Sequence, residues 1–263
     1  MSYTEAVILG IVQGLTELLP ISSSGHLIIA RSIFGFTAPE AMAFDVLLHL
    51  ATLAAIIVYF WRDVVQLAVS AVAYAAAKPV AKSQERLLLA IMLGTLPAVL
   101  FGFLFENIIE QVLRDPMVVV FALLAGSLLL ALAETFARYT KTISGNRGFA
   151  IGVFQALALI PGMSRSGSAI AGGLLLGLSR EEAVRFSFLL GLPIIAGAGA
   201  RALYHVSDPA DVFHMPALAG SLMAFAVGLL AVHFLMVYLK KNRLTPFIIY
   251  RACIAVVLFA FLL

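Results

Sequence analysis

The chain has 263 residues, 62% hydrophobic and only 12% charged, where soluble domains carry about 25% charged residues, so water is not its main solvent. The net charge is +3, and the 17 Lys and Arg residues fall in connections rather than in one patch, which excludes a nucleic-acid-binding surface. A lone Cys253 inside an apolar run excludes a disulfide framework and a thiolate metal site, and reads as a small core or lipid-facing residue.

The N-terminus, Met1 to Glu5, lacks the basic region of a secretory signal, so no cleavage is expected there. The apolar stretch 5–30 is interrupted at Pro20-Ile-Ser-Ser-Ser-Gly25. Each half falls short of the roughly 20 residues a spanning helix needs. Irregular backbone at membrane depth is tolerated only in a protein interior or a wet cavity. The stretch therefore predicts a re-entrant helix–loop–helix hairpin, with Gly25 supplying a left-handed turn and a helix starting near His26.

Spans are predicted over 42–61, 87–105 and 116–136, with the amphipathic stretch 64–82 lying at the interface. The stretch 148–178, broken at Pro161-Gly-Met-Ser-Arg-Ser-Gly167, predicts a second re-entrant hairpin. Spans over 184–204, 216–239 and 246–263 complete the chain. The fold class is thus an all-α polytopic membrane protein of six transmembrane helices plus two re-entrant hairpins, a single integral membrane domain over 1–263.

Charge placement tests that count. Arg62, Lys78, Lys82 and Arg86 lie in one connection and Arg138, Lys141 and Arg147 in another. Arg180 and Arg185 precede the fourth span; Lys240, Lys241 and Arg243 precede the sixth. The connection 205–215 has no Lys or Arg, and 106–115 has only Arg114 against three acids. Six spans and two hairpins put every basic connection on the cytoplasmic side and both termini outside.

The chain also repeats itself. At a constant offset of 142 residues, 14 of the 41 pairs from Gly10 to Leu50 are identical, among them Gln13/Gln155, Ser22/Ser164, Ser24/Ser166 and Gly25/Gly167. About three or four would be expected by chance, so the repeat is taken as real. Repeat one covers about 1–136 and repeat two about 145–263. Three spans separate equivalent points, which makes the repeat inverted, and inverted repeats bring their discontinuous helices together near the midplane.

The polar residues gather at these two breaks. Gln13 and Glu17 share one helix face, and an ionisable residue inside a membrane segment marks function by default. Ser22, Ser23 and Ser24 precede Gly25 and His26, where hydroxyls and the N–H groups of a helix start bind anions. Ser23 becomes a nucleophile if a base lies within reach, and Glu17 or His26 could serve. The second loop offers Ser164, Arg165, Ser166 and Gly167, with Arg165 a planar cation that fits phosphate oxygens or pairs with Glu17. Such a set suits a phosphate group bound with a divalent cation. Other polar residues read as packing groups: His49 and His233 in spans, His205 and His214 in the outer loop. Arg201 and Arg251 read as snorkelling near helix ends.

These motifs, Gln13-x-x-x-Glu17, Pro20-Ile-Ser-Ser-Ser-Gly-His26 and Pro161-Gly-Met-Ser-Arg-Ser-Gly167, resemble the bacterial undecaprenyl-diphosphatase family, the bacitracin-resistance type, over essentially the whole chain. The resemblance implies hydrolysis of undecaprenyl diphosphate to undecaprenyl phosphate and inorganic phosphate, which recycles the lipid carrier of peptidoglycan synthesis. It implies a polyprenyl diphosphate substrate, a divalent cation such as Mg2+ or Ca2+, and bacitracin resistance when the enzyme is abundant. It also implies residence in the bacterial inner membrane with the site facing outward. Gln13 and Glu17 fall on the family's acidic pair, with Gln at the place where Glu also occurs, so Glu17 is the expected metal ligand or base. His26 falls on the motif histidine, Arg165 on the phosphate-binding arginine. His49-Leu-Ala departs from the Gln-Leu-Gly expected there, and His49 could face the cavity. A phosphoseryl intermediate on Ser23 and direct attack by a metal-activated water both remain open, as does a homodimer. The rival reading is an inverted-repeat transporter or flippase for an anionic polyprenyl lipid; Glu17 and His26 favour an enzyme, since a carrier needs no base.

Overall fold

The computed structural model describes residues 1–35, 41–113, 115–204 and 214–262; Arg114 and His205 lie outside them. Among the described residues every regular element is helical: α1 (Tyr3–Leu18), α2 (Ser23–Phe34), α3 (Ala41–Tyr59), α4 (Trp61–Ala75), α5 (Lys82–Leu104), α6 (Glu106–Gln111), α7 (Pro116–Phe136), α8 (Gly145–Ala156), α9 (Arg165–Leu175), α10 (Arg180–Tyr204), α11 (Met215–Leu239) and α12 (Thr245–Leu262). Five of them, α5, α7, α10, α11 and α12, are long and apolar enough to cross a bilayer. The pair α3–α4 brings the number to six if taken as one broken span; the two helices are bent by 88° at Phe60. The protein is a multi-pass membrane protein.

Both expected breaks occur, and for the same local reason. A residue before proline is pushed out of the helical region. Leu19, ahead of Pro20, is extended at φ −75° and ψ 149°, so α1 stops at Leu18. In the second break α8 tightens into a short 3-10 turn, Leu157–Leu159, and Ile160 ahead of Pro161 is extended at φ −82° and ψ 113°. The restarts differ from the sequence expectation. The left-handed residues are not Gly25 and Gly167 but their neighbours Ser22 (φ 75°) and Ser164 (φ 70°), and α2 begins at Ser23 rather than near His26. Two non-glycine residues at matching repeat positions thus hold a conformation that L-residues avoid. Gly25 and Gly167 sit inside the first turns instead, and at Gly167 space is short: a Cβ there would lie 3.0 Å from Arg251 Nη1 and 3.2 Å from Ser164 Oγ.

The helix before each break, α1 and α8, is held by close backbone contact. A Cβ on Gly10 would lie 2.2 Å from the Gly220 carbonyl oxygen, and one on Gly14 would lie 2.7 Å from that of Ala224, so α1 runs alongside α11 in the same direction. The counterpart contact joins α8 to α5: a Cβ on Gly148 would lie 2.3 Å from the Ala90 oxygen and one on Gly152 would lie 2.1 Å from the Gly94 oxygen. Small residues permit this approach where apolar burial gives helices no preference over lipid.

Ion pairs tie the basic connections to one another at one end of the bundle. Arg185 of α10 pairs with Asp63 of α4, Arg180 pairs with Glu134 at the end of α7, and the Leu244 N–H donates to the same Glu134. At the other end of α10, Arg201 pairs with Glu106 of α6. Arg251, expected to snorkel, does not. It is fully buried six residues into α12, seated against Gly126 of α7, where any Cβ would lie 2.0 Å from its Nη2. The absence of a side chain on Gly126 gives the guanidinium an inward seat.

Candidate active site

Glu17 ends α1 one turn after Gln13, and both are buried. The carboxylate is held from two sides. Oε2 accepts the Ser23 hydroxyl at 2.6 Å, and Oε1 accepts Arg165 Nη2 at 3.2 Å. Ser23 is the first residue of α2 and Arg165 the first of α9, so one carboxylate joins the restarts of both broken helices. Further bonds stitch the loops: the Gly162 N–H donates to Ser24 Oγ at 3.4 Å, and Ser166 Oγ donates to the Glu17 and Leu19 carbonyls, each at 3.4 Å.

Within each loop the two outer serines lie at the same distance from one another, Ser22 Oγ to Ser24 Oγ and Ser164 Oγ to Ser166 Oγ both at 3.3 Å. Ser164 also caps α9 by accepting the Gly167 N–H at 3.1 Å. Arg165 is fixed by two bonds, its Nη1 donating to the Ser187 carbonyl of α10 at 3.1 Å while Nη2 holds Glu17. This works because α10 has Gly191 there; a Cβ at that position would lie 2.1 Å from Nη1.

His26 faces another set of partners. Its Nδ1 donates to the Ser22 carbonyl at 2.7 Å, since a carbonyl can only accept, which leaves Nε2 to accept the Tyr250 hydroxyl at 2.9 Å. The Tyr250 ring stacks on the imidazole at 5.5 Å between centroids. His26 thus grips the left-handed Ser22 rather than the Ser23 hydroxyl.

His49, which the sequence marked as able to face the cavity, reaches the site, and two residues not singled out for it, Tyr250 and Arg251, join it. His49 Nε2 lies 3.7 Å from Glu17 Oε2, with Nδ1 donating to the Asp45 carbonyl at 2.7 Å. Its repeat counterpart is Gly191, as that of Ser23 is Arg165, so the two halves exchange bulk: a small serine faces a histidine where a long arginine lies over a glycine. Departure from the repeat is a second signal for His49, beside its departure from the family pattern. Tyr250 and Arg251 carry no such signal, because only the packing of α12 brings them in.

The donor set includes two unsatisfied atoms on Gln13: Oε1 and Nε2 are buried and without hydrogen-bond partners among the described residues. Gln13 and Glu17 offer hard oxygen ligands one turn apart. Among the described residues no cluster of three His, Cys, Asp or Glu forms a complete cage. Two hard oxygen donors of this kind fit a Mg2+ or Ca2+ ion whose remaining ligands come from substrate and water.

Relatives match over the full length. A family described as Bacitracin resistance protein BacA matches residues 6–257. The chain is 43% identical to an undecaprenyl-diphosphatase of Chlorobium phaeovibrioides, covering 98% of this chain and 96% of that one. It is also 43% identical to one of Caldicellulosiruptor bescii, covering 100% and 98%, and 41% identical to one of Rubrobacter xylanophilus, covering 98% of each. The two broken helices that meet at Glu17 therefore sit in a chain that belongs to the BacA bacitracin resistance family.

Proposed function

We propose that this protein is a membrane phosphatase that hydrolyses undecaprenyl diphosphate to undecaprenyl phosphate and inorganic phosphate, returning the lipid carrier to peptidoglycan synthesis and giving resistance to bacitracin. The observation that carries the reading is the Ser23 hydroxyl donating to Glu17 Oε2 at 2.6 Å, with Arg165 of the other loop on Oε1. That is a nucleophile on its base beside a cation that fits phosphate oxygens.

In this reading Ser23 Oγ attacks the terminal phosphorus and its proton passes to Glu17. The bond from that phosphorus to the bridging oxygen breaks, and undecaprenyl phosphate leaves with the proton from Glu17. Water then attacks the phosphoserine, gives a proton to Glu17, and Glu17 returns it to Ser23 as inorganic phosphate departs. Arg165 and the N–H groups at the starts of α2 and α9 hold the charge that develops on the phosphoryl oxygens. Ser22, Ser24, Gly25, Ser164, Ser166 and Gly167 shape that cradle. His26 keeps Ser22 in its left-handed conformation, which aims Ser23 at Glu17. Gln13 and Glu17 would hold a divalent cation, which supplies Lewis-acid neutralisation of the phosphate when bound.

The topology belongs to the same proposal: six spans, two re-entrant hairpins and an inverted repeat, with both termini and the site facing outward. It is supported by the parallel pairs α1–α11 and α8–α5, which fit hairpins entering from opposite ends, and by the ion pairs among the basic connections.

The test is phosphate release from undecaprenyl diphosphate by the purified protein, with and without chelator, for wild type and Glu17→Ala. Release by wild type that stops with chelator and returns with Mg2+ or Ca2+ is expected, with little release by Glu17→Ala. No chelator-sensitive release by wild type overturns the function; unchanged release by Glu17→Ala overturns the role of Glu17.

A further inference from the structure

Arg251 is a second cation at the junction of the two loops, and among the described residues it has no counter-charge. Its Nη1 donates to the Pro20 carbonyl at 3.2 Å. Its Nη2 lies 3.1 Å from the Gly162 oxygen, 3.0 Å from that of Met163 and 3.5 Å from that of Leu123. Pro20 belongs to the first break, Gly162 and Met163 to the second. The guanidinium therefore sits between both, against the first turn of α9 at Gly167. All these acceptors are neutral carbonyls. Among the described residues no carboxylate pairs with Arg251, and its Nε–H is buried without a partner.

That arrangement is costly unless something balances it. Backbone carbonyls can hold a buried guanidinium inside a membrane protein, but they leave its charge uncompensated. The one carboxylate at the loops, Glu17, is already engaged by Arg165. Glu17, Arg165 and Arg251 together leave one excess positive charge at the junction. A protein needing only a staple between two loops could use a neutral donor such as Asn or Gln; a cation retains an excess charge that an anion can satisfy.

We propose that Arg251 is a positioning and charge-matching residue of the phosphatase site: it locks the carbonyls of both breaks toward itself and leaves the junction one charge positive, so that the diphosphate of the bound lipid supplies its missing counter-ion. The inference rests on the polyprenyl diphosphate reading above. It assigns Arg251 selectivity for the charged head over an uncharged polyprenol of the same tail.

The experiment compares binding of a polyprenyl diphosphate and of the uncharged polyprenol to full-length detergent-solubilised protein, for wild type, Arg251→Gln, Arg251→Lys and Gly126→Ala. Folding of each variant is checked by thermal unfolding. Arg251→Gln should weaken the diphosphate about tenfold or more and leave the polyprenol within about twofold of wild type. Arg251→Lys, which keeps the charge, should restore most of the diphosphate affinity. Gly126→Ala keeps the arginine but fills its seat, and serves if Arg251→Gln does not fold; it should also weaken the diphosphate selectively. Unchanged diphosphate binding in a folded Arg251→Gln or Gly126→Ala protein overturns the inference. So does an equal loss for both lipids, or a lysine variant no better than glutamine, since each marks a purely structural staple. Wild type that binds diphosphate no better than polyprenol would instead overturn the functional reading beneath it.

Discussion

Ser23 and Glu17 lie six residues apart on opposite sides of a helix break, and the break is what lets the hydroxyl reach the carboxylate at 2.6 Å. In an unbroken helix positions six apart point to different faces. The extended Leu19 and the left-handed Ser22 reverse the chain between them, so the Ser23 hydroxyl and the Glu17 carboxylate meet without help from a distant segment. Arg165 then closes on the other carboxylate oxygen from 148 residues away.

In the proposed mechanism the serine and the carboxylate act as one unit, so their losses should not add. Ser23→Ala is expected to lower phosphate release about a thousandfold, in the range of a lost base or nucleophile. The double variant Glu17→Ala/Ser23→Ala should be little slower than either single. Wild-type turnover by Ser23→Ala, measured with purified protein under saturating lipid, rules out the phosphoserine route.

Gly191 can be tested as the seat of Arg165. Its α-hydrogen faces the guanidinium, and a methyl group there would lie 2.1 Å from Nη1. Gly191→Ala should push Arg165 off Glu17 and lower kcat/KM about tenfold while the protein stays folded. Arg165→Lys, which cannot hold the Ser187 carbonyl and Glu17 together, should lose about ten- to a hundredfold. If Gly191→Ala has full activity, the guanidinium is not held where it lies.

The two half-helix seams should respond alike to bulk. Gly10→Leu and Gly152→Leu each drive a side chain into the backbone of a neighbouring helix, toward Gly220 and Gly94 respectively. Each should cost about 3 kcal/mol, near the upper end for overpacking, read as a lowered thermal midpoint in detergent. Substitution of Leu96, 54% exposed on α5, by Ala serves as the control and should be nearly silent.

Orientation follows from accessibility. In a Cys253→Ser background, Ser2→Cys should react with a membrane-impermeant thiol reagent added to intact spheroplasts, and Asn242→Cys only after lysis. The reverse pattern would invert the proposed topology and turn the site to the cytoplasm.

Much of this protein was written in short stretches of sequence. Composition decides the solvent, because a chain with 12% charged residues cannot coat itself for water. The helix breaks at Pro20 and Pro161 follow from a steric clash that involves only the proline and the residue before it. Gln13, Glu17, Ser23, His26 and Arg165 stand out because polar groups in apolar surroundings need a reason. What only the tertiary structure decided is who touches whom. It put the left-handed turns on Ser22 and Ser164 and set Gly167 where Arg251 crowds the first turn of α9. It gave His26 to the Ser22 carbonyl and Tyr250, brought His49 to Glu17, and drew Arg251 inward onto both loops. These partners depend on gaps left by glycines on other helices, Gly126 and Gly191 above all, and such space is created only when distant segments pack.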